Sequence, residues 1–190
     1  MENVEKNPLE NLEGRVGFGR RLGAYLLDGL TVLVVGSIIG ILIGDKLAPI
    51  IFGQQLEEFN LLSDQFDDMN FDFIGLMLKF FGVMAGMPIV TIILFILEGA
   101  LGQSPGKMML NIVNTNVDRT KADAGKLWLR SFLKYSSSLV SLIGTMLSII
   151  ILGWIANLWG IVIFIGCFLT FMDNKQAIHD MIAKTVVTRK

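Results

Sequence analysis

The sequence predicts an all-α membrane protein. The expected form is a four-helix transmembrane bundle with cytoplasmic N and C termini and a small cytoplasmic β-ribbon. Three observations carry that prediction. The 190 residues are 53% hydrophobic, with a mean hydropathy of +0.61, above the range of soluble domains. The apolar residues form runs long enough to cross a hydrocarbon core. Of the 16 lysines and arginines, all but Lys46 and Lys79 fall in the N-terminal tail, the 99–134 segment or the C-terminal tail. The positive-inside rule places those three stretches on the cytoplasmic side.

Residues 1–19 read as a polar tail bearing Glu2, Glu5, Glu10 and Glu13, unlike a cleavable leader. The first span covers residues 22–43, about 22 residues at roughly 1.5 Å each. Asp28 lies inside it, about 10 Å from Arg21 along the helix axis. Seven residues are almost two turns, so Arg21, Ala24, Tyr25 and Asp28 are expected on one face. A carboxylate at that depth needs a partner, and an arginine, Arg21 or Arg130, is the expected one. Gly36, Gly40 and Gly44 form a small-residue stripe for close helix approach, within this chain or between copies.

Residues 45–72 form an acidic loop expected outside the cell. Its apolar residues from Ile50 to Phe66 suit a short amphipathic helix on the bilayer surface. Asp64, Asp67, Asp68 and Asp72 lack the alternating spacing and turn glycine of a calcium loop, so they read as solvated acids.

The second span is residues 73–97, with a kink expected at Pro88 and Gly82 and Gly86 as another small pair. Glu98 closes it at the membrane boundary. A basic segment, 99–131, follows. Within it Met108–Val113 is strand-like, Asn114–Thr120 reads as a turn and Ala122–Tyr135 has helical periodicity. Lys126, Arg130 and Lys134 are expected to face anionic lipid headgroups.

The apolar region 132–172 is too long for one crossing and divides into spans 132–151 and 154–172, with a turn near Leu152–Trp154. Four crossings keep the basic tail, 173–190, on the cytoplasmic side; three would export it. Its strand-like Thr185–Thr188 is expected to pair with Met108–Val113, because each needs a partner for its backbone groups.

Three stretches in order resemble the RDD family of membrane proteins, named for an arginine and two aspartates. They are Arg21-Leu22-Gly23-Ala24-Tyr25-Leu26-Leu27-Asp28; Glu98 with Gly102-Gln103-Ser104-Pro105-Gly106-Lys107 through Leu110-Asn111-Ile112-Val113 to Leu129-Arg130; and Asn174-Lys175 through His179-Asp180 to Ala183-Lys184-Thr185-Val186-Val187. The sequence departs from the family pattern at Gly23, where alanine is commoner, and at Ser104-Pro105, in place of a threonine-containing pair. The resemblance implies one membrane domain over residues 20–190 in a bacterial cytoplasmic (inner) membrane. Transport is suggested for a family otherwise mostly without assigned activity.

Carried over residue by residue, the polar positions of that pattern are Arg21, Asp28, Glu98, Lys107, Arg130, His179 and Asp180. They read either as a latch fixing cytoplasmic segments to the bundle or as an ion or proton site. In the second case Asp28, Glu98 and His179 would exchange protons. Ser104-Pro105-Gly106-Lys107 lacks the first glycine and the following Ser/Thr of a phosphate loop and reads as a tight turn.

One histidine and one cysteine, Cys167, offer no nucleophile or zinc constellation. No enzyme activity, cofactor, metal or nucleic-acid partner is expected. The expected partners are the lipid bilayer, a second copy of the chain or another membrane protein. Two function classes remain: a small transporter or ion exchanger, and an accessory or regulatory subunit of a membrane complex.

Overall fold

Nine elements account for the chain in a computed structural model, which describes residues 14–63 and 73–190. In order they are α1 (Phe18–Ser63), α2 (Phe73–Leu101), α3 (Pro105–Met109), β1 (Ile112–Asn116), α4 (Ala124–Met146), α5 (Ile150–Cys167), a 3-10 turn (Phe168–Phe171), α6 (Ile178–Ile182) and β2 (Thr185–Arg189). Among the described residues, three helices are long and apolar enough to cross a membrane: Phe18–Gly44, Lys79–Leu101 and Ile150–Phe171, of 27, 23 and 22 residues. They correspond to the predicted spans 22–43, 73–97 and 154–172. Bulky apolar side chains stand exposed along them, among them Ile41, Leu42, Ile151 and Trp154, as a lipid-facing surface requires.

The region predicted as the remaining span, 132–151, differs. Its helix α4 ends at Met146, and Ser136, Ser137, Ser138, Ser141 and Thr145 dilute its apolar residues. The turn comes at residues 147–149, earlier than Leu152–Trp154. Ile149 N–H donates to the Gly144 carbonyl at 2.9 Å, with Ser148 at φ 50°. That is a left-handed helix ending in which serine stands where glycine is usual, whereas dividing the apolar run by length put the turn a few residues later. Helix also persists further into the acidic segment than expected. α1 runs through Pro49, leaves helical geometry at Phe52 and continues to Ser63. The Asp64, Asp67, Asp68 and Asp72 cluster lies outside the described residues, as do residues 1–13 of the tail. α2 remains helical across Pro88, where the Thr91 hydroxyl donates to the Met87 carbonyl at 3.0 Å.

The chain divides into two compact units, residues 29–93 with 136–159, and residues 1–28 with 94–135 and 160–190. In the first, the α1 glycines meet α2. A Cβ on Gly40 would lie 2.5 Å from the Gly82 carbonyl oxygen and the Val83 Cα, and one on Gly44 2.5 Å from the Gly82 Cα. The small-residue stripe is therefore used within the chain. The Trp159 indole N–H donates to the Ser136 hydroxyl at 2.7 Å, joining α5 to α4.

The second unit is built around β1 and β2, which pair antiparallel from Ile112 opposite Arg189 to Asn116 opposite Thr185. The predicted ribbon forms, but β1 begins at Ile112 because Pro105–Met109 coils into α3. Val16 N–H donates to the Val187 carbonyl at 2.8 Å, bringing the N-terminal segment alongside β2. Val16, Ala24, Ile112 and Val187 form the apolar core here, with Leu110 against it.

The second unit contains an internal repeat. Gln103 precedes α3 and β1 as Gln176 precedes α6 and β2, each position having its structural counterpart 73 residues later (Ile112 with Thr185) though few of the side chains are alike. The N-terminal flanks Ser104 and Ala177 share ψ 166°, and Asn111 and Lys184 both take φ 52° before their strands. Gln103 Nε2 donates to the Ile112 carbonyl and Gln176 Nε2 to the Thr185 carbonyl, each at 2.8 Å. The strand register maps onto itself under this exchange, so the two copies are related by a local two-fold through the Asn114–Val187 pair.

Candidate functional site

Charged side chains fill the space beside this ribbon although almost no water reaches them. Asp28, Glu98, Lys107, Arg130, His179 and Asp180 are all buried, Glu98 and Asp180 completely. Burial of that kind requires paired charges and satisfied hydrogen bonds, and the surrounding elements supply them.

Glu98, at the end of α2, is the hub. Its Oε1 pairs with Lys107 and with Arg130. Its Oε2 accepts from Lys134 at 2.6 Å and from the Tyr135 hydroxyl at 3.3 Å. Asn114, at the centre of β1, turns its carbonyl oxygen to Lys107 Nζ at 2.9 Å and its amide nitrogen to Glu98 at 3.3 Å. Asp180, in α6, lies between two guanidiniums. Arg130 Nε donates to it at 2.6 Å, Arg21 donates to its other oxygen, and the Ala177 N–H donates at 3.2 Å. Arg21 also caps loop carbonyls, donating to Val16 at 2.9 Å and Lys175 at 2.6 Å. One guanidinium, Arg130, thus links α2 to α6 from α4.

Asp28 does not face an arginine. Its carboxylate accepts the Ser104 hydroxyl at 2.6 Å and the Gly106 N–H at 2.9 Å, with Lys134 Nζ the nearest cation at 3.8 Å. The expectation of a guanidinium fails because Arg21 and Arg130 are both drawn to Asp180, while the first turn of α3 offers donors at the right depth. Ser104-Pro105-Gly106 is therefore a carboxylate cradle. A side chain at Gly106 would collide with the Ala24 carbonyl and approach Asp28, so glycine is needed there. Tyr25 also departs from the expected shared face: it is exposed, while Ala24 and Asp28 are buried. Lys134 and Arg130, expected at lipid headgroups, point inward instead. Lys126 remains part-exposed, bonded to the Asn116 carbonyl oxygen at 2.9 Å.

Burial, with the nearby Arg130, drives the Lys107 ammonium down to about 7 against the opposing pull of Glu98. Burial likewise favours the neutral form of His179, lowered to about 3 despite the adjacent Asp180. For Asp180, burial opposes ionisation, but Arg130, His179 and Arg21 outweigh it and keep the carboxyl well below the usual carboxylate range. Arg130 loses to burial but gains more from Asp180 and Glu98, and is raised.

The structure therefore brings all seven sequence-derived positions into one network. It adds Ser104, Gly106, Asn114, Lys134 and Tyr135, which sequence reasoning had not placed there. The spacing of Arg130 and Lys134, one helical turn apart, was an available signal for Lys134. The repeat of glutamine, short helix and strand was another, because it aligns Lys107 with Asp180. No group of His, Cys, Asp and Glu among the described residues has a metal-binding arrangement.

A mostly helical chain with apolar helices of membrane-spanning length and a small two-stranded sheet defines a membrane protein. The chain matches the RDD family over residues 15–184 and belongs to it. No curated protein and no solved structure matches it.

Proposed function

We propose that the protein is a multi-pass transporter of an ion or small solute in the cytoplasmic membrane, with the Glu98-centred network as its working site. The observation that carries this reading is one buried network containing Arg21, Lys107, Arg130 and Lys134 against Asp28, Glu98 and Asp180. Buried ionisable groups at a membrane boundary mark ion and proton pathways. The network draws on the start of α1, the end of α2 and the start of α4, while the end of α5 leads into its α6 member. Each helix pair leaves and returns, which supports four crossings with both termini cytoplasmic. α4 is then the polar crossing, its Ser136 bonded to Trp159 of α5. Lys107 and Asp180 occupy equivalent places in the short repeat of helix and strand beside the spans. The reading assigns no enzymatic step and no cofactor. It leaves exposed Arg20, Lys121 and Lys184 for anionic headgroups, and a second copy or another membrane protein as the partner.

A second reading, a non-catalytic accessory subunit with the network as a latch, is favoured by the pairing of each network carboxylate, Asp28, Glu98 and Asp180. Asp28→Asn separates the two. Transport predicts normal abundance and melting temperature with flux lost in liposomes; a latch predicts lost abundance.

A further inference from the structure

The network has one more cation than carboxylate, and assigning a titrating group within it rests on its proposed role as an ion site. His179 does not change that balance. Its Nε2 lies 3.3 Å from an Arg130 nitrogen that can only donate and 3.5 Å from Asp180 Oδ1; the arginine contact needs a ring nitrogen that keeps its lone pair, and so the neutral ring. Nδ1 is buried and has no hydrogen-bond partner. A dry site holds a surplus charge poorly, so one cation is the natural one to yield a proton.

The candidates separate by chemistry and position. Arg21 and Arg130 keep their protons at any accessible pH. Lys134 stands between two carboxylates, Glu98 at 2.6 Å and Asp28 at 3.8 Å. Lys107 has a single carboxylate partner, Glu98, which it shares with Arg130 and Lys134. Its other contact is the neutral Asn114 carbonyl oxygen at 2.9 Å. The groups that act on it are Glu98 from α2, Asn114 from β1, and Arg130 and Lys134 from α4; Asp28 from α1 bonds the N–H of the preceding residue, Gly106, and Asp180 and His179 from α6 reach the network through Arg130.

We propose that Lys107 is the proton-exchanging group of the network. Its ammonium gives one proton to water or another base reaching it from the aqueous side. The N–H electron pair stays on Nζ, and the resulting amine still donates to Glu98. The network passes from one net positive charge to balance, and proton uptake reverses the step. The lowering of Lys107 to about 7 by burial and Arg130 agrees with this assignment.

The test is a pH titration of lysine Nζ resonances in full-length protein with isotope-labelled lysine in nanodiscs. One signal is expected to convert from ammonium to amine near neutral pH, to be missing in Lys107→Arg, and in Lys107→Gln should the arginine variant not fold. Asn114→Asp places a second carboxylate beside Nζ and is expected to move that midpoint upward by more than a pH unit. The proposal is overturned if every lysine remains ammonium to about pH 9, if the titrating signal survives loss of Lys107, or if Asn114→Asp leaves the midpoint unchanged. Titration by Lys107 in a protein that moves nothing across vesicles would defeat the transport reading and leave this one standing.

Discussion

Asp180 and His179 make stability depend on acid in a direction that can be worked out. Asp180 ionises more readily folded than unfolded, so its contribution is present above the ordinary carboxylate range and is lost as pH falls through it. His179 titrates at about 3 when folded against 6.5 when unfolded. Between those values the unfolded chain holds the extra proton, so stability falls with falling pH by roughly 1 kcal/mol per unit. Lys107 acts on the alkaline side. Lowered to about 7 from 10.5, it imposes a cost that is relieved as pH rises between those values. The melting temperature of the wild type should therefore climb from pH 4 to about 6.5, and His179→Gln should flatten that limb. Ser104→Ala removes a hydroxyl donor from a buried carboxylate and should destabilise by about 1–3 kcal/mol in denaturant titration.

Between elements, glycine decides how closely α1 and α2 approach. Gly40→Val places atoms where the Gly82 carbonyl and Val83 backbone already lie, and backbone cannot yield as a side-chain tip can. A large loss of folded protein in detergent is expected, whereas Gly29→Ala, with nothing within 4 Å of the new Cβ, should be tolerated. This packing was readable from the four-residue glycine spacing, because small residues leave a periodic mark in sequence. Ion-pair partners leave no such mark. The charged positions were legible from Arg21 to Asp180, but nothing in the spacing of Asp28 says that a serine hydroxyl and a backbone N–H will satisfy it. Ser104-Pro105-Gly106 looked like a turn because its function lies in backbone direction. Ser148 hid the α4–α5 turn by adopting a backbone conformation more usual for glycine. The repeat was visible in Gln103 and Gln176, but its meaning depended on the shared hydrogen bond each makes with its own strand.

At the scale of the whole molecule, transport goes with a four-crossing topology. Val16 beside Val187 keeps Gly17 and the C-terminal strand on one side of the membrane, which the proposed topology makes cytoplasmic; cysteines at Gly17 and Lys190, in a Cys167→Ser background, should then both resist membrane-impermeant thiol reagents in intact cells. Both should react in inverted vesicles. Labelling of one but not the other in intact cells would mean an odd number of crossings. The most direct test of transport is purified wild-type protein in liposomes bearing a pH or cation gradient. The gradient is expected to decay faster than in protein-free liposomes. A folded protein that leaves every such gradient intact, yet co-purifies with one fixed membrane partner, would contradict the transport reading.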